Sequence, residues 1–183
     1  MTLRRMVEER GACVDGLAWL GMKGARRAWK GCPRTDWMLW GLEALGYEDG
    51  EVLRRFACRC VREVWGLLED ERSRAAVEVA ERYVEGDATE DELAAAFDRS
   101  LAAAWSVWHR DGGSVYWATN AAAWTASSCA MDAASVASRR AACASADEDE
   151  AEAFQAEILR GLISAEVVQG LFEAAVEAAE AGA

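Results

Sequence analysis

The sequence predicts an all-α protein: a single-domain multi-helix bundle over residues 1–183, built around a weakly charged, Ala-rich central helix. Three observations predict it. One proline in 183 residues leaves too few turn formers for a sheet protein. Alanine, the best helix former, runs through the C-terminal half. Apolar residues recur at three- and four-residue spacing between readable caps. The length suits one domain that buries its core without disulfides or metals.

Residues 2–10 read as a short helix stopped by Gly11. Gly16, Gly21 and Gly24 break residues 12–30 into one or two short helices. After Pro33, Thr35 is the expected N-cap of a helix from Asp36 to Leu45, closed by Gly46. Asp49-Gly50 opens a helix from Glu51 to Leu68, with Leu53, Phe56, Ala57, Cys60, Val64 and Leu67 on one stripe. Glu69-Asp70-Glu71 interrupts that stripe, and Ser73 to Val84 forms the next helix, ended by Gly86. Thr89-Glu90-Asp91-Glu92 is a capping box that launches a helix through Phe97, Leu101, Trp105 and Trp108 to Gly112-Gly113. Residues 115–145 carry only Asp132, Arg139 and Arg140, which places them as the central helix. Asp147-Glu148-Asp149-Glu150 supplies an N-cap and a favourable dipole charge for a last helix. That helix is expected to turn Phe154, Ile158, Leu162, Val167, Leu171 and Phe172 inward.

The net charge is −12 at pH 7, with a pI near 4.6. Such a chain repels nucleic-acid phosphates and anionic membranes and attracts basic partners. Charge is uneven: residues 1–34 hold eight Lys/Arg against three Asp/Glu, whereas residues 147–183 hold ten Asp/Glu against Arg160 alone. The two ends either pack together or leave an acidic helical surface. The start, MTLRRMVEERG, lacks an apolar core with a cleavage site, so the expected location is cytoplasmic. No run approaches the roughly 20 apolar residues of a membrane span.

Six cysteines without a leader read as reduced, small core residues. Cys58 and Cys60 point about 200° apart on a helix and cannot share an ion comfortably, so neither metal nor cofactor is expected. The nine tryptophans include the pairs Trp37/Trp40, Trp105/Trp108 and Trp117/Trp124. Helical spacing favours core packing for them, with interface anchoring as the alternative. His109 is the only histidine, at a helix end where the dipole explains it. Arg54, Arg55, Arg59 and Arg62 are expected outside their helix, paired with nearby glutamates. No phosphate loop, nucleophile elbow or metalloprotease helix is present, so the chain is not read as an enzyme. A helical cavity lined by Trp and Cys is the one route left to a bound ligand.

Arg34-Thr35-Asp36-Trp37-Met38-Leu39-Trp40, and Ala57 to Val64 running into Asp70-Glu71-Arg72-Ser73-Arg74, resemble the Imm-5-like immunity proteins of bacteria and phages. The resemblance implies a helical protein that neutralises a toxin by binding it, with Asp36, Trp37, Trp40, Arg59 and Arg62 as signature positions. Charge complementarity then points to a basic toxin or nuclease met by Asp147, Glu148, Asp149, Glu150, Glu152 and Glu157. Two other functions stay open: a phage-associated inhibitor that mimics nucleic acid, and a helical structural protein whose tryptophans form a homo-oligomer.

Overall fold

Eleven α-helices follow one another among the residues described by the computed structural model, 1–108 and 113–181, and no strand interrupts them. The glycine-rich start gives three short helices, α1 (Leu3–Glu9), α2 (Val14–Leu20) and α3 (Ala25–Gly31). Next comes α4 (Thr35–Ala44). Thr35 is its first helical residue and not its cap: the hydroxyl instead donates to the Glu152 carbonyl at 2.9 Å. At its far end Gly46, at φ 75°, lets the Tyr47 N–H reach back to the Leu42 carbonyl at 2.9 Å.

Six longer helices then alternate up and down through short connections: α5 (Gly50–Glu63), α6 (Glu71–Val84), α7 (Glu90–Trp108), α8 (Ser114–Thr125), α9 (Ala130–Ala144) and α10 (Glu148–Leu162). The last is α11 (Ala165–Ala181). Capping follows the sequence at Asp49, Asp147 and the Thr89–Glu92 box, where the Thr89 N–H reaches Glu92 at 2.8 Å. The stripe predicted from Glu51 to Leu68 ends early, at Glu63, and a 3-10 turn over Trp65–Leu67 follows.

The predicted central helix is two helices. α8 and α9 pack antiparallel along faces of fully buried alanines, among them Ala121, Ala122, Ala133, Ala134 and Ala137. Thr125, Ser127, Ser128 and Cys129 break the run, because short polar side chains compete for backbone groups. Thr125 Oγ1 donates to the Ala122 carbonyl at 2.7 Å, and Cys129 Sγ caps α9. Cys13 likewise caps α2. Those two thiols are exposed, so the expectation of core cysteines holds for Cys32, Cys58 and Cys60 only.

The predicted last helix also divides, at Ile163-Ser164, where Ser164 Oγ accepts the Val167 N–H at 3.3 Å. Ile158, Leu162, Leu171 and Phe172 pack half-buried against the core as predicted, while the centre of the buried face lies one residue on from Phe154 and Val167. Gln155, Ala156, Leu159, Ile163 and Val168 are buried, whereas Phe154 and Val167 are 49 % and 46 % exposed.

Arg54 is not on the outside of α5. It is buried, donating from Nη1 to the Thr125 carbonyl at 2.7 Å with its guanidinium over Tyr83 at 5.2 Å. The cation therefore closes the C-terminus of α8, where orphan carbonyls concentrate negative charge. Arg62 pairs with Glu81 as expected, and Arg72 and Arg82 on α6 pair with Asp70 and Glu92.

Basic start and acidic end meet. α3 packs on α11. The Trp29 indole donates to the Ile163 carbonyl at 3.0 Å, Arg26 lies 3.7 Å from Glu166, and the Met1 amine lies 3.8 Å from Glu180. Part of the charge asymmetry is thereby used to close the fold.

Candidate functional site

The six acidic candidates at the start of α10 and along it divide by task. Asp147 accepts the Glu150 N–H at 2.9 Å and serves as the cap. Glu157 is held by Arg160 at 2.7 Å, and Glu152 turns toward α4, 3.6 Å from Arg34. Glu148, Asp149 and Glu150 remain: exposed, and outside every ion pair among the described residues. Glu148 accepts a weak hydrogen bond from Cys143 Sγ at 3.5 Å.

Burial pushes the Glu152 carboxyl above its ordinary range; Arg34 opposes the rise and Asp36 adds to it. The folded chain then holds this proton more tightly than the unfolded one, so stability falls as pH climbs from the ordinary carboxylate value through the raised one. Glu152→Gln is expected to melt higher than the parent at pH 7, by under about 1 kcal/mol. The gain should shrink through pH 4 and vanish at about pH 3, where the carboxyl is protonated in both states; melting curves across that range check it.

The signature positions are not one cluster. Asp36 takes a two-point hydrogen bond from Arg34, at 2.9 and 2.7 Å, and also accepts the Trp37 N–H at 2.9 Å. That bond to Asp36 holds the Arg34 guanidinium above its ordinary pKa. Arg34 also lies 5.1 Å over the Trp37 ring, whose centroid is 5.9 Å from that of Trp19. Arg62 joins α5 to α6 through Glu81 and lies 3.9 Å over Trp65. Arg59 is exposed on α5. Four of the five thus have structural partners or line the cavity described below.

At the end of the bundle where α7 and α9 finish and α8 and α10 begin, aromatic and acidic groups adjoin. Trp105 and Trp108 share one face of α7 and are 58 % and 47 % exposed. Trp108 meets Tyr116 at 4.8 Å, Tyr116 meets Trp117 at 4.9 Å, and Arg140 lies 4.5 Å over Trp117. One turn along α9 from Arg140, Cys143 contacts Glu148 of the acidic turn. Helical spacing favours core packing for Trp105 and Trp108, and the structure reverses it. The signal was present: Leu93, Ala96, Ser100, Ala103, Ala104 and Val107 form the buried stripe of α7, and both tryptophans fall off it. Trp37, Trp40, Trp117 and Trp124 are half-buried against the core.

A cavity of about 390 Å³ opens among α1 to α4 and the start of α11. Trp19, Trp29, Trp37 and Trp40 contribute to its walls, with Cys13 and Cys32. Burial raises the Cys32 thiol pKa and pushes that of Cys58 up to about 12, so neither is poised as a nucleophile at neutral pH.

Among the described residues no group of three His, Cys, Asp or Glu is gathered as a metal site, and no helix is long and apolar enough to cross a membrane. His109 lies outside the described residues. What these observations define is the class: an all-α multi-helix protein with an aromatic and acidic end and an apolar cavity. A scan against protein-family models and searches of curated proteins and of solved structures found no match.

Proposed function

We propose that this chain is a non-catalytic, immunity-type protein that neutralises a basic toxin, such as a nuclease, by seating it on the aromatic and acidic end of the bundle. One observation carries the reading. Two exposed tryptophans on α7 lead through Tyr116 and Trp117 toward an acidic turn whose Glu148, Asp149 and Glu150 make no ion pair among the described residues. Exposed Trp surrounded by polar groups is the usual composition of a protein interface centre. Arg139 and Arg140 stand on α9 at the same end, and the carboxylates of the α10 turn outnumber them. A net charge of −12 gives a basic partner long-range attraction as well. The resemblance of Arg34–Trp40 and Ala57–Val64 to Imm-5-like immunity proteins supports the same function.

The partner to try is the product of the gene beside this one. Calorimetry is expected to show one tight complex, with Trp108→Ala weakening it by at least tenfold, as a central aromatic anchor contributes about 2 kcal/mol. Full affinity in Trp108→Ala would remove this face from the interface. Self-association in sedimentation, lost in the same variant, would assign the face to a second copy of the chain instead.

A further inference from the structure

We infer that the cavity between the N-terminal helices and α11 is a binding site for a neutral, apolar small molecule, a ring system or short hydrocarbon chain. This goes beyond the proposed protein partner and does not depend on it. At about 390 Å³ the space falls within the range of small-molecule sites.

Its chemistry follows from the walls. Most of the wall is apolar, and four of the polar groups that reach it are already engaged inside the protein. Trp29 Nε1 donates to the Ile163 carbonyl, Cys32 Sγ donates to the Arg34 carbonyl at 3.3 Å, and the Asp36 carboxylate is clamped by Arg34. Cys13 Sγ accepts the Gly16 N–H at 3.3 Å. Water in the cavity therefore finds few of the two to four partners that hold an ordered water, whereas an apolar ligand loses nothing by replacing it. A charged ligand would find no free counter-ion among these groups. The cations nearby, Lys23 and Arg34, already lie against the Trp19 and Trp37 rings.

Gly41 supplies a separate observation. It lies inside α4, flanked one turn away by Trp37, Met38 and Leu45, all of which line the cavity. A Cβ there would meet nothing within 4 Å, so close packing does not require glycine. Glycine nonetheless costs a helix interior about 1 kcal/mol relative to alanine. What it preserves is open space at the middle of the cavity wall.

The test uses the full chain and N-phenyl-1-naphthylamine, a neutral apolar fluorophore, with energy transfer from the lining tryptophans as the signal. Saturable binding of one probe per chain is expected. Gly41→Phe should weaken binding at least tenfold while circular dichroism stays helical, and Ala28→Leu, filling the same space from α3, should act likewise. No saturable binding by the parent chain would overturn the inference, as would unchanged affinity in whichever filled variant retains its helicity. Binding of more than one probe per chain, indicating general surface adsorption, would overturn it too.

Discussion

Truncating Phe56 to alanine is expected to lower the unfolding free energy by about 3–5 kcal/mol, the largest effect of any single change considered for this chain. Phe56 is fully buried on α5, and α5 packs on α6, α8, α9 and α10. The buried faces of those helices are rich in alanines, whose short side chains cannot swing in to fill space. The loss therefore combines the transfer energy of the ring with a cavity that relaxes poorly. Urea unfolding followed by circular dichroism should show a lower midpoint with an unchanged slope. A chain of this size should melt lower by roughly 2–4 °C for each kcal/mol lost.

Arg54→Ala ranks second, at about 2–4 kcal/mol. Burial lowers the Arg54 pKa, which expresses the cost of keeping this charge away from water. The Thr125 carbonyl and the Tyr83 ring compensate that cost. Removing the side chain leaves the C-terminal carbonyl of α8 without its donor and opens a void along the arginine stem. Arg54→Met separates the two contributions, since it restores the stem volume without the donor. About half of the loss should remain in that variant. Equal stability of Arg54→Ala and the parent, measured by the same unfolding curves, would show that α8 does not need this cap.

Much of the fold was legible because helix punctuation is local. Asp49, the Thr89–Glu92 box, Asp147, Gly46 and Gly86 act within one turn of themselves, and the helices start or stop beside them. The two divided helices were harder. Composition alone makes residues 115–145 one alanine-rich run, and the break at Ser127-Ser128 lies between two side chains that take backbone groups, Thr125 on the Ala122 carbonyl and Cys129 on the Asp132 N–H. Ile163-Ser164 is a single serine in an otherwise continuous pattern, and the apolar residues around it fit two registers. Tertiary pairing with α3 and α4 selects the one that buries Leu159 and Ile163.

The candidate site was legible in part. The acidic run could be read as a cap, a partner surface, or both, and its carboxylates divide between those tasks. Which of them are neutralised depends on Arg34 and Arg160, and the Arg34 pairing crosses more than a hundred residues of sequence. Trp105 and Trp108 needed the buried stripe of α7 to be phased first. Composition allowed a cavity lined by Trp and Cys, but spacing could not place it, because its walls come from five helices that are neighbours only in the folded chain.

Association kinetics between this chain and the product of the adjacent gene give the most direct test of the docking face. The measurement is made at rising salt for the parent and for a Glu148→Gln, Asp149→Asn, Glu150→Gln variant. The parent rate constant is predicted to fall at least tenfold as salt rises from about 0.02 to about 0.5 M, the Debye length shrinking below the contact distance. The variant should associate more slowly at low salt and depend on salt much less. Equal rates for parent and variant at every salt concentration, or no complex at all, would contradict the account.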